Sequence, residues 1–272
     1  GVELELNYIP VNKKNFTWKI NLNLTHYKNK ITYLPDEKKT TVMDGHGGYM
    51  NGSRYYGEDL PINTWYMKRF AGLSEDGLSL WYYTDKETNE EKTTTTYSTG
   101  DFYLCGDPNP DLYGGFGTSI TFHGFDLSTQ FSYLVGGLTY DYGYAGMMGN
   151  PTATSVGNRW HKDVLKAWSP ENPSSTIPRW YFNDLNTTGS SDRFLIDGSY
   201  LNLQNIQVGY TLPDSWTSHL KIKNLRLYFV CDNVYYWSKR RGLDPRRSIS
   251  GVGTSGKIAP FRTYSGGISL QF

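Results

Sequence analysis

Glu3 and Glu5 lie two residues apart, so in an extended segment they share a face, a spacing at which a carboxyl pair can pass protons. Carboxylates in a polar, wetted interior are more often solvated or paired with Lys or Arg, and that reading is preferred for both. The run Gly251-Val252-Gly253-Thr254-Ser255-Gly256 satisfies G-x-G-x-x-G. It falls between two extended segments with no helix after it, so it aims no helix N-terminus at a pyrophosphate and reads as a fortuitous match. Asp44-Gly45-His46-Gly47-Gly48 and Asp107-Pro108-Asn109-Pro110-Asp111 offer oxygen ligands that calcium could use. Neither follows the EF-hand pattern, and turns use the same residues, so both are expected to be turns. The five His include no H-x-x-x-H pair, and no G-x-S-x-G is present, which leaves zinc and nucleophilic catalysis without a case. Cys105 and Cys231 are the only cysteines and read as two separate thiols. The chain is expected to be no enzyme and to need no cofactor or metal.

What remains is recognition. Trp160, Trp168, Trp180 and Tyr181 cluster among Pro and polar residues within 141–198. Flat aromatic faces with polar neighbours suit sugar rings or a partner protein. Packing of those rings on one another or on a wall is the equal alternative.

The elements that would carry these residues are strands. Aromatics make up 16% of the chain while the hydrophobic fraction is only 38%, with 29 Gly. That mixture suits a barrel with aromatic girdles and a polar lumen better than a helical or doubly wound protein. A net charge of +1 provides no basic field for nucleic acid. No apolar run of about 18 residues occurs, which removes a spanning helix and says nothing against strands. The chain opens in a strand-like pattern at Gly1-Val2-Glu3-Leu4 without an initiator Met or signal peptide, as a later piece of a longer or cleaved polypeptide would.

Period-two alternation recurs along the chain. Val2, Leu4, Leu6 and Tyr8 oppose Glu3, Glu5 and Asn7, and Phe16, Trp18, Ile20, Leu22 and Leu24 oppose Thr17, Lys19, Asn21, Asn23 and Thr25. A less regular pair spans about 61–72 and 79–85 around the Ser74-Glu75-Asp76-Gly77 turn signal. Clearer alternation resumes at 116–122, 131–135 (where Leu134 breaks the polar row), 206–212, 225–231 (with a mixed inner row of Arg226, Tyr228, Val230 and Asp232) and 264–272, giving about nine antiparallel strands. Short links near 9–15, 73–78, 124–127 and 213–223 alternate with long ones near 28–60, 86–112, 141–198 and 238–260. This is the one-sided loop pattern of an all-β, antiparallel transmembrane barrel, with the chain starting outside and ending in the periplasm. Nine strands cannot close so wide a barrel, so further strands are required. A soluble or surface-attached all-β glycan-binding module, or a β-rich glycosidase, would place the apolar rows against a second sheet instead.

The residues from Ser191 onward narrow this further. Ser191-Asp192-Arg193-Phe194-Leu195-Ile196-Asp197-Gly198-Ser199-Tyr200 and the strand running to Thr211-Leu212-Pro213 resemble the block before the third-last strand of SusC/RagA-type TonB-linked outer-membrane proteins of Bacteroidetes. Ile222-Lys223-Asn224-Leu225-Arg226-Leu227-Tyr228 with Cys231-Asp232-Asn233-Val234-Tyr235 is similar to that family's next strand. Leu243-Asp244-Pro245 resembles a loop motif that normally continues with Glu, where this chain has Arg246. Arg262-Thr263-Tyr264 and Ser269-Leu270-Gln271-Phe272 resemble its last strand. Weaker echoes lie at Arg69-Phe70-Ala71-Gly72 and Tyr113-Gly114-Gly115-Phe116. The resemblance implies that residues 1–272 are the C-terminal portion of a 22-stranded barrel, its last nine or so strands, in the bacterial outer membrane. It implies import of oligosaccharides or peptides with a SusD-like lipoprotein. It also implies a plug and earlier strands supplied by an N-terminal segment, and energy relayed through that plug by TonB. Phe272, with Leu270 and Tyr264 on its row, resembles the terminal aromatic signal of outer-membrane assembly, and the same rings would anchor the strand in outer-membrane lipid.

Overall fold

The computed structural model describes residues 1–272 except 153–158, 185–188, 218, 220, 240, 241, 245, 247–249 and 252–259. Alternation without helix-favouring runs produces two long hairpins, with Pro10 falling at an irregularity of the first strand between Tyr8 and Val11. The first joins β1 (Val2–Lys13) to β2 (Phe16–His26). Eight short strands follow: β3 (Thr41–Met43), β4 (His46–Asn51), β5 (Arg54–Gly57), β6 (Thr64–Lys68), β7 (Phe70–Leu73), β8 (Ser79–Thr84), β9 (Glu91–Thr94) and β10 (Phe102–Leu104). The second long hairpin joins β11 (Leu112–Phe122) to β12 (Phe125–Val135). Its turn needs φ of 47° at His123 and 86° at Gly124, the left-handed geometry of a two-residue hairpin. Then come β13 (Leu138–Tyr140), helix α1 (Tyr142–Met147), β14 (Leu195–Asp197) and the long β15 (Tyr200–Thr211). Helix α2 (Asp214–Thr217), β16 (Asn224–Ser238) and β17 (Thr263–Gln271) complete the chain.

The seven long strands form one antiparallel sheet, β1-β2-β11-β12-β15-β16-β17. Register lines up the faces. Val11, Trp18, Ile120, Leu127, Val208 and Phe229 stand opposite one another across six strands. On the other face Asn7, Asn21, Gly117, Gln130, Asn205 and Asp232 form a polar row. A Cβ at Gly117 would run into the Gln130 and Asn21 amides, so glycine makes room for the polar row to close up. Bulges between Leu203 and Asn205 and between Gln130 and Phe131 reset the parity, which keeps Leu201, Leu203, Tyr235 and Trp237 on the apolar side.

Among the described residues nothing covers the apolar face. Val208 is 44% exposed, Phe229 49% and Ile268 65%, values that a sheet packed in a sandwich would not leave on its inner side. The buried cluster lies elsewhere and is built from residues outside the seven strands: Trp65, Met67, Tyr140, Met148 and Phe194. Rings mark both ends of the apolar face. Phe16 meets Phe122, and Phe125 meets Tyr210 at 4.3 Å, near the short turns; Tyr235 meets Trp237 at 4.8 Å near the long links. From Leu201 to Tyr210, β15 covers about 30 Å at roughly 3.3 Å per residue. At a tilt near 40° it stands about 23 Å tall, close to the apolar band of a membrane barrel.

The expected fold class is therefore observed, with one difference in the wall. Seven strands line it rather than about nine, because 61–72 and 79–85 fold into small sheets within the first long link. All five residues of β6 are buried, so it has no polar row to turn toward a lumen. β7 and β8 pair only with each other and β9. The Ser74–Gly77 turn between them forms as expected, with the Gly77 N–H donating to the Ser74 carbonyl at 2.9 Å.

Candidate functional site

The links between wall strands alternate strictly: short at 14–15, 123–124 and 212–223, long at 27–111, 136–199 and 239–262. All three long links leave the sheet at one end; the first two share a single core and the third is hydrogen-bonded to both, so they form one body rather than three free loops. The first link supplies a five-stranded sheet, β10-β6-β5-β4-β3, and the second adds the β13–β14 pair and α1. Trp65 is fully buried, donates from Nε1 to the Leu138 carbonyl at 3.2 Å and packs on Tyr140. The Arg54 guanidinium lies 3.1 Å above the Trp65 ring. It donates to the Asn63 carbonyl at 2.6 Å and to the Ser250 carbonyl, tying the third link to the first. Burial lowers its pKa to about 10, so it stays charged at neutral pH. The Tyr140 N–H donates to the Gly251 carbonyl at 2.8 Å, tying the third link to the second. Lys68 points its ammonium at the carbonyls of Tyr97, Ser98 and Gly100, which satisfies its three donors although burial lowers its pKa.

The third link is also fixed to the polar face of the sheet. Arg246 grips Asp244 with Nε and Nη2, both at 2.8 Å, and donates from Nη1 to Asn202 on β15 at 2.7 Å. The Arg that stands where the resembling motif has Glu thus has its own partners. Lower on that face, Arg226 holds Asp126 in a bidentate pair at 2.9 and 2.6 Å, and glycine at 209 leaves it room. Neither pair was singled out from the sequence, where only the juxtaposition of distant strands reveals them.

The aromatic residues of the second link occupy two places. Trp160 and Trp180 meet edge to face at 5.5 Å, and both indole N–H groups donate to the Gly149 carbonyl at 3.2 Å. Trp168 lies over Gly77, the turn of the β7–β8 hairpin. Tyr181 is 61% exposed with the Arg179 guanidinium 4.9 Å from its ring. The structure thus brings Trp160 and Trp180 together and leaves Tyr181 as the open ring. Tyr264 and Leu270 lie on the bare apolar face at the sheet edge, and Phe272, one residue past β17, is exposed. Glu5 accepts from Asn7 Nδ2 at 3.0 Å on the polar face. Asp44 and Gly45, with φ of 49° and 85°, make the β3–β4 turn, and Asp107 accepts from the Asn109 N–H at 2.9 Å as a turn residue does. Among the described residues no three His, Cys, Asp or Glu gather as a metal site would require. Of the G-x-G-x-x-G run, 252–256 lie outside the described residues, as does Pro245.

Two measurements follow from this geometry. At Gly77, φ is +73° and a Cβ would collide with the Trp168 ring. Gly77→Ala is expected to cost about 1–3 kcal/mol of loop-body stability and to shift the tryptophan fluorescence, with the wall unchanged. Burial, foremost, pushes the Cys105 thiol up to about 11. At pH 8 its thiolate fraction is on the order of one in a thousand, so iodoacetamide should label Cys105 about 100-fold more slowly than an ordinary exposed thiol, read by peptide mass spectrometry.

No protein-family profile matches the chain. Over 302 aligned residues it is 28% identical to TonB-dependent receptor P3 of Formosa agariphila, covering 100% of this chain and 28% of that protein. TonB-dependent receptor SusC of Bacteroides thetaiotaomicron is 26% identical over 281 residues, covering 100% of this chain and 26% of SusC. Among solved structures, the RagAB peptide transporter superposes with a TM-score of 0.81 at 23% identity, covering 99% of this chain and 29% of the matched chain. The SusC/RagA likeness runs the full length of the chain, and the fold is that of a wall section of such a barrel. The chain spans about a quarter of the length of the curated relatives it matches.

Proposed function

We propose that the chain is the C-terminal wall section of a TonB-dependent outer-membrane importer, with its three long links as the extracellular mouth. The observation that carries this is the sheet itself: apolar rows bare on one face, polar rows on the other, and every long link at one end. Such a face is stable against lipid and unstable against water. Among the described residues β1 and β17 each pair along one edge, so further strands of the same barrel complete the wall, 22 in all on the family pattern. The polar face, with its Asn, Gln, Glu and Arg–Asp groups, lines a lumen that a plug fills and TonB energises through that plug. The cargo is an oligosaccharide or a peptide, delivered by a SusD-like lipoprotein that caps the mouth. Tyr181 and the Trp160–Trp180 pair are the aromatic contacts for cargo or cap. Phe272, Leu270 and Tyr264 guide assembly of the last strand. The chain performs no chemistry of its own.

The test is uptake by cells carrying the full-length protein. Loss of import of a labelled oligosaccharide or peptide on removal of the energising protein, together with co-purification of a lipoprotein, supports the proposal. A full-length protein that stays monodisperse in plain buffer without detergent overturns it.

A further inference from the structure

The third long link is charged unlike the rest of the chain. Residues 239–262 hold seven Lys or Arg against one acid, Asp244, a net +6, while the whole chain is +1. Everything outside this link therefore sums to −5. The basic residues do not all face the same way. Arg246 is turned to the polar face, where Asp244 and Asn202 occupy it. Lys239 follows Tyr235 and Trp237 on the parity of the apolar face, and Arg262 precedes Tyr264 on that same parity. Both cations are exposed, and among the described residues Arg262 donates to the Tyr264 hydroxyl, at 3.5 Å.

These two cations sit at the rim of the aromatic girdle. Tyr235, Trp237 and Tyr264 are 50%, 49% and 62% exposed on the apolar side. β16 runs past Asp232, its last residue paired with β17, out to Ser238. The overhang leaves an open cleft of about 490 Å³ that reaches around the sheet edge, lined by Tyr235, Trp237, Pro260 and Arg262 and also by Tyr236 and Arg246. Aromatic rings and, at the strand ends beyond them, exposed cations form the pattern that holds an amphiphile with apolar chains and an anionic headgroup. An acidic protein at the mouth would meet the top of the loop body or the lumen, not the lipid-facing parity. We infer that Lys239 and Arg262, with Tyr235, Trp237 and Tyr264, dock the phosphate of a glycolipid of the outer leaflet. The inference rests on the barrel reading above, which sets this rim at the outer surface.

The test uses the full-length protein extracted in neutral detergent. It is mixed with lipid A carrying one phosphate, with its dephosphorylated form, or with inorganic phosphate, and retention is read by native mass spectrometry. The phosphorylated lipid is expected to be held at least about tenfold better than the dephosphorylated one, with about fivefold lost per cation removed, so that K239Q/R262Q loses about 25-fold. K166Q, an exposed cation of the loop body, should retain lipid as the parent does. Heat-modifiable migration on gels checks that each variant is folded. Equal retention of both lipids, undiminished retention by folded K239Q/R262Q, or equally tight inorganic phosphate overturns the inference. Displacement by a poly-glutamate peptide also overturns it, in favour of an acidic protein partner. A protein found in the outer membrane but indifferent to lipid phosphate sinks this inference alone, whereas one absent from that membrane sinks the barrel reading with it.

Discussion

Ile206→Arg is expected to destabilise the folded barrel by about 2–4 kcal/mol, while Ser128→Arg, on the opposite face of a neighbouring strand, should change it by no more than about 0.5 kcal/mol. Ile206 stands midway along the apolar row of β15, between Leu201 and Tyr210, opposite Thr129 and Cys231. A guanidinium there would be held near the middle of the hydrocarbon, too far from either girdle to reach water. Ser128 stands between Ser119 and Gln207 on the polar face, where a long cation can extend into the lumen. Denaturant titration of the full-length protein in a bilayer measures both. Comparable losses at the two positions would mean that the faces are not distinguished by lipid and water, and the proposed orientation would fall.

Trp65→Ala should act on the loop body alone and cost about 3–5 kcal/mol there. The ring is fully buried, and it is the shelf on which Arg54 lies and the link to Leu138 and Tyr140 in the second loop. Removing it leaves a cavity and a buried cation without its stacking partner. The expected outcome is fast amide exchange through 41–104 and 138–197 and loss of import, with the gel mobility of the folded wall retained. A variant whose loops stay as protected as the parent's would show that the shared core does not hold them.

The wall was legible in the sequence because its physics is written at period two. Phe16 to Thr25 alternates without a break, and the register then places Trp18, Ile120, Leu127 and Val208 side by side as that alternation requires. The count of strands was not legible from the same signal. A short strand buried on both sides, such as Thr64–Lys68, carries apolar groups at both parities and imitates a damaged wall strand. Its missing polar row was the available clue. The parity reset of β15 is equally silent, since Gln204, its extra residue against β12, has no sequence signature of its own. For the candidate site, the loop aromatics could be found but not their roles. Whether Trp160 offers a face or spends it on Trp180 depends on a carbonyl at Gly149, placed by the fold of a whole loop. The Arg246–Asn202 and Arg54–Ser250 contacts join residues 44 and 196 positions apart, beyond any local pattern.

One core, shared by the first two long links and hydrogen-bonded to the third, limits how the mouth can move. The links cannot part like fingers, since Arg54 holds Ser250 and Tyr140 holds Gly251 across their boundaries. Any gape must be the swing of a single block on the few chain crossings that join it to the wall. At one of these crossings Gly136 and Gly137 stand in succession with φ of 79° and 73°, a backbone geometry few other residues adopt. A cross-link placed within the block would leave such a swing free, and one placed between block and wall would stop it.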